Sequence, residues 1–200
     1  MCRYQDVMAV TNRNLCIPTE QEKDSIELLC LQMKRVCSVK PRAVILREKD
    51  LTEKEYERLA ERVSQICGEN GVDCIYHTFV NAAVRAGVKK IHLPLWKLEE
   101  LADDPVLQTF EVIGASIHSV EEALRAERLG ATYITAGHIY VTGCKEGLAP
   151  RGLDFLEEVC RAVKIPVWAI GGIGLDGEQL DEVKERGAEG GCIMSAMMHI

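Results

Sequence analysis

Along the chain, short runs of β-branched and other apolar residues alternate with longer stretches in which apolar positions recur every three to four residues. The short runs predict strands over residues 7–10, 43–46, 72–76, 90–93, 111–114, 133–135, 167–170 and 191–194. The longer stretches predict helices over 24–36, 53–66, 79–86, 95–101, 120–129, 153–163 and 176–186. Thr52 and Glu55 have the spacing of a capping box, as do Ser119 and Glu122. Gly71, Gly87, Gly130 and Gly187 stand where helices should end, and Pro166 opens a strand where its missing N–H is tolerated.

Eight strands in 200 residues give a mean repeat of about 25, the size of one strand–helix unit. Eight such units predict an α/β fold, a TIM (β/α)8 barrel, in preference to a doubly wound open sheet. No G-x-G-x-x-G follows the first strand, as the open sheet would favour. Only six residues follow the last predicted strand, so the barrel is expected to lack its last helix. No linker, repeat or low-complexity stretch divides residues 1–200, which are expected to form one domain.

Composition narrows the class. The chain is 47% hydrophobic and 28% charged, enough for a sizeable core and unlike a disordered chain. Its net charge of −7 has the wrong sign for a nucleic-acid binder. There is no apolar run of membrane-spanning length and no signal-peptide pattern, so a cytoplasmic protein acting on neither nucleic acid nor membrane is expected. The nine cysteines include no C-x-x-C and no Cys/His cluster at zinc spacing, so reduced thiols are expected, most of them small core residues, and no metal site. Cys144, in a polar loop, is the one thiol with the position of a candidate nucleophile, although a loop thiol without a role fits as well.

A barrel carries its chemistry at the C-terminal ends of its strands. After strands seven and eight stand Ile170-Gly-Gly-Ile-Gly174 and Ser195. Glycines let backbone N–H groups approach an anion, so Gly171, Gly172 and Ser195 are expected to bind phosphate. The segment after strand six, 137–152, is long, polar and glycine-rich. It offers His138 as a general acid–base, Thr142 as a hydroxyl donor, and the cations Lys145 and Arg151. After strand two, Arg47 and Lys49 alternate across the strand end and suit a carboxylate or phosphate.

Ala9-Val-Thr-Asn-Arg13, Leu46-Arg-Glu-Lys49, Ile113-Gly-Ala-Ser-Ile-His118, Gly137-His-Ile-Tyr140 and Ala169-Ile-Gly-Gly172 occur in the order found in the thiamine phosphate synthase/TenI superfamily, which the chain resembles over nearly its whole length. The resemblance implies a TIM barrel of thiamine biosynthesis acting on a thiazole phosphate, its small-molecule partner, and allows a homodimer. Synthases of the family join that ring to an aminopyrimidine pyrophosphate with Mg²⁺; the TenI branch shifts a proton to aromatise a carboxythiazole phosphate.

Where synthases carry the two aspartates that hold Mg²⁺, this chain has His77 and Lys97, which cannot replace hard oxygen ligands. Ile45 replaces a pyrimidine-binding Gln, and Gly137-His138 replaces Gly-Pro. These departures lead to the expectation of a TenI-type thiazole tautomerase, an isomerase without a cofactor. His138 would move the proton, Ser116 or Arg47 would orient the substrate carboxylate, and Thr142 and Lys145, phosphate contacts in synthases, would line the mouth. The alternatives are a thiamine phosphate synthase, needing Mg²⁺ on ligands such as Glu99, Glu100 or Asp103, and a non-catalytic thiazole phosphate-binding protein. His92 and His199 read as structural or solvated, His118 as a loop hydrogen-bonder, and Tyr76 and Trp96 as core or pocket walls.

Overall fold

In the computed structural model, which describes residues 4–18, 20–143 and 147–200, eight short strands pair in chain order. They are β1 (Val7–Val10), β2 (Ala43–Leu46), β3 (Asp73–His77), β4 (Lys90–Pro94), β5 (Val112–Ile117), β6 (Tyr133–Gly137), β7 (Val167–Ile170) and β8 (Gly190–Ile193). Every pairing is parallel, and β8 closes on β1 with Met8 beside Cys192. Around the barrel run α1 (Ser25–Ser38), α2 (Glu53–Glu69), α3 (Val80–Arg85), α4 (Leu95–Glu100), α5 (Val120–Arg128), α6 (Gly152–Ala162) and α7 (Glu178–Glu185). A 3-10 turn, Met197–His199, follows β8. This is the (β/α)8 barrel that the repeat predicts, with seven helices among the described residues.

Local signals fix the elements. Thr52 and Glu55 form the predicted capping box at the start of α2. At α5 only half of the box forms: Ser119 accepts the Glu122 N–H, while the Glu122 carboxylate turns to the His118 N–H at 2.5 Å. β5 and β6 extend to Ile117 and Gly137, beyond the predicted ends, and the extension of β5 brings Ser116 into strand geometry. The seven described cysteines are free thiols, five of them buried and four of those in α1, α2 and β8; Cys144 lies outside the described residues. Among the described residues no helix is long and apolar enough to cross a membrane.

The packing has two layers. Outward-facing strand residues such as Val7, Val44, Ile91 and Ile134 meet the helices in a continuous apolar shell. Each such side chain contributes about 1.5–3 kcal/mol when fully buried. Inside the barrel, Met8, Val10, Ala43, Ile45, Ile75, Tyr133, Trp168 and Cys192 fill the lower lumen. Because side chains alternate with period two, the residue two places on from each interior residue stands one layer higher on the same face. Ile45 is thus followed by Arg47, Ile75 by His77, Gly114 by Ser116 and Tyr133 by Thr135. The polar upper layer rests directly on the apolar plug.

Candidate active site

A cavity of about 900 Å³ opens above that plug at the C-terminal end of the barrel. Arg47, Lys49, Ser116, His138, Thr142, Gly171, Gly172 and Ser195, from five strand ends and the loops after them, all line it. Eight of the ten residues expected from sequence therefore face one space. Arg151 does not: its Nε donates to the His118 carbonyl at 2.7 Å and its guanidinium lies 5.8 Å from the Phe155 ring centroid. Its backbone N–H also donates to the His138 carbonyl at 2.9 Å, so Arg151 fastens the loop after β6. Lys145 lies outside the described residues.

The cationic wall at the end of β2 is built from below. Glu48, 2% exposed, accepts the Thr11 hydroxyl at 2.7 Å and the Arg13 guanidinium at 3.1 Å. The Thr11 oxygen in turn accepts the Arg47 backbone N–H at 2.8 Å. Arg13 continues to Asp50 at 2.6 and 2.7 Å, which holds the Asp50 carboxyl at about 2. Burial, and then the neighbouring Arg47, push the Lys49 amine below its ordinary value. An anion beside these two cations relieves their mutual repulsion.

On the side of β7 and β8, Gly171 and Gly172 have φ of +102° and +75°. A Cβ on Gly171 would overlap His138, and one on Gly172 would overlap Val141 and Tyr140. The pair thus serves close packing of two loops as well as exposing backbone to the cavity. His138, 3% exposed, follows a cis peptide and has no hydrogen-bond partner for either ring nitrogen among the described residues. Buried polar groups are ordinarily hydrogen-bonded, so two unsatisfied ring nitrogens beside a cavity stand out.

Between these walls stand residues that the sequence reading set aside. His92, read as structural or solvated, is buried, with Nδ1 2.9 Å from the Tyr133 hydroxyl and Nε2 2.8 Å from Ser116 Oγ. Burial, reinforced by Lys49 and Arg47, lowers its pKa to about 3, so the ring is neutral. His77 stacks on it at 5.5 Å and is likewise held well below the usual imidazole value by burial, then by His92. Tyr76 is core, and Trp96 stands exposed on the cavity rim. His118 lies on the rim beside Glu122, and the His199 ring bonds the Leu15 carbonyl at 2.9 Å. The signal that reaches His92 is parity: it pairs in register with Gly114, two residues before Ser116.

At the two positions where the family's synthases hold Mg²⁺, His77 and Lys97 do not offer the oxygen donors that ion needs. His77 gives its Nδ1 to Thr78 at 2.7 Å, and Lys97 pairs with Glu100 at 2.8 Å. Glu99, one of the alternative ligands, is held by Arg125 at 2.7 Å, and among the described residues no three His, Cys, Asp or Glu side chains converge as a metal set. Imidazoles and an ammonium do not suit a hard cation.

The family model "Thiamine monophosphate synthase" matches residues 7–197. A thiamine-phosphate synthase of Desulfitobacterium hafniense is 35% identical over 159 residues, 76% of this chain and 73% of that one. Thiamine-phosphate synthase 2 of Streptococcus pneumoniae is 29% identical over 184 residues, 92% of this chain and 87% of that one. A thiamine phosphate pyrophosphorylase structure from Pyrococcus furiosus superposes with a TM-score of 0.77 at 26% identity, covering 98% of this chain and 89% of the other.

These relatives correct the expectation of a TenI-type tautomerase, and of an isomerase. That expectation rested on four positions, His77, Lys97, Ile45 and His138, of which Lys97 does not line the cavity, whereas the likeness to synthases runs through the whole barrel. With a family model spanning almost every strand and helix, the chain belongs to the thiamine monophosphate synthase family.

Proposed function

We propose that the chain is a transferase of the synthase type, joining a phosphorylated thiazole to an aminopyrimidine pyrophosphate with release of pyrophosphate. The observation that carries this reading is one cavity with two regions suited to anions, separated by β1. Arg47 and Lys49 stand on one side; Gly171, Gly172 and Ser195 stand on the other. Two phosphorylated substrates need two such regions, and a volume of about 900 Å³ accommodates both.

In the transfer, the thiazole nitrogen forms a C–N bond to the methylene carbon of the pyrimidine as its C–O bond to pyrophosphate breaks. The electron pair leaves with the pyrophosphate, where negative charge builds. Fixed cations aimed at developing charge lower such a barrier. Arg47, its backbone anchored on Thr11, and Lys49 take that role. Gly171, Gly172 and Ser195 hold the thiazole phosphate, with Thr142 beside it. His138 offers its unsatisfied imidazole to the bound ring, and Ser116 contacts the second substrate. No step is assigned to Mg²⁺, because His77 and Lys97, at the positions of the family's two ligands, do not fit it.

Calorimetric titration tests the two-region reading. The thiazole phosphate and inorganic pyrophosphate should bind together, one of each per chain, with neither displacing the other. Mutual exclusion would contradict it.

A further inference from the structure

We propose that Tyr133 and His92 form a buried relay that fixes Ser116 as a hydrogen-bond donor into the cavity, so that this point of the site selects an acceptor atom on the substrate. Tyr133 lies in the apolar lumen among Met8, Val10, Ile45 and Trp168, 4% exposed. Its hydroxyl meets His92 Nδ1 at 2.9 Å. A phenol proton buried in apolar surroundings needs an acceptor, and Nδ1 is the one within reach. If Nδ1 carried the proton instead, the phenol would accept it and its own O–H would be stranded.

The tyrosine therefore donates, Nδ1 is bare, and the proton of the neutral ring sits on Nε2. Nε2–H then donates to Ser116 Oγ at 2.8 Å. The Thr135 hydroxyl donates to the same oxygen at 3.3 Å. With both lone pairs of Ser116 engaged, its remaining capacity is one O–H, and the half-buried side chain lines the cavity. A substrate oxygen or unprotonated ring nitrogen suits that donor; an N–H does not.

Two further observations bear on the relay. A Cβ at Gly114 would overlap the Tyr133 ring, its hydroxyl and His92 Nδ1 together, so the glycine supplies the room in which the contact forms. The His77 ring, stacked at 20° to that of His92, holds the imidazole plane. The low proton affinity of His92 keeps the ring in a single charge state across the neutral range.

The tautomer is a property of the free protein; its use on a substrate rests on the proposed transfer. Nitrogen-15 NMR of histidine-labelled protein, with the His92 signals assigned by loss in His92→Gln, reads the tautomer directly. The relay predicts the Nε2-protonated form in the wild type and loss of that single form in Tyr133→Phe, a change that keeps the ring and its packing. An Nδ1-protonated ring, or no change in Tyr133→Phe, would overturn it whatever the reaction is.

For the substrate contact, Tyr133→Phe and Ser116→Ala should each weaken binding of the aminopyrimidine pyrophosphate about five- to tenfold, and the double variant no more than the worse single one. Additive losses would overturn the relay. Failure of the wild type to bind that substrate, with the tautomer as expected, would instead count against the proposed reaction and against this use of Ser116.

Discussion

The Thr11 hydroxyl donates to Glu48 at 2.7 Å while its oxygen receives the Arg47 backbone N–H at 2.8 Å, so one threonine ties the buried carboxylate to the cation at the cavity wall. Arg13 satisfies the same carboxylate through its backbone and its guanidinium. The strand-end residues of β1 thus act as the mount for those of β2.

Removing the centre of that mount should be costly. Glu48→Ala leaves the Thr11 hydroxyl and the Arg13 backbone N–H without their buried acceptor while Asp50 still pairs the Arg13 guanidinium, a loss of about 1.5–3 kcal/mol. Glu48→Gln keeps one acceptor and should lose less. Urea denaturation of the two variants checks the order.

Asp50 gives the mount a pH signature. Its carboxyl is depressed to about 2, chiefly by the hydrogen bond from Arg13, so its contribution to stability is complete above the ordinary value of 3.8 and disappears as pH falls through about 2. Asp50 is largely exposed, so solvent keeps the effect modest. In acid titrations followed by thermal melting, the wild type should lose more stability between about pH 4 and pH 2 than Asp50→Asn.

Most of the scaffold was legible, because β1, β2 and β7 are runs with clear ends and the helices carry caps and glycine stops. The end of β5 was not: Ser116 is polar because it faces the cavity, and polarity there reads as loop. The glycine pair and the cations after β2 announce themselves by composition. His92 and Tyr133 do not, since barrel strands are buried on both faces and a short apolar run gives no phase to separate lumen from shell. The few mouth residues pointed to the tautomerase branch, whereas the likeness to synthases is spread through the whole chain.

The glycine pair is constrained by its neighbours as well as by any ligand. Gly172→Ala forces a left-handed residue against the Val141 carbonyl and should cost about 1–3 kcal/mol. Chemical denaturation gives that cost, and a parallel loss of thiazole phosphate affinity is expected because the β6 loop must move.

His138 should behave oppositely. Its two unsatisfied nitrogens bring no hydrogen bond to the free protein, so His138→Leu should leave unliganded stability unchanged or raised. Turnover should fall at least about tenfold if the imidazole bonds the bound ring. Melting curves without ligand and steady-state rates in the same preparation separate the two effects.

The most direct measurement is product formation when purified protein is mixed with the thiazole phosphate and the aminopyrimidine pyrophosphate, with and without chelator. The account predicts thiamine phosphate and pyrophosphate in equal amounts, requiring both substrates, and a steep loss in Arg47→Ala/Lys49→Ala. Absence of the condensed product when both substrates are bound would contradict it.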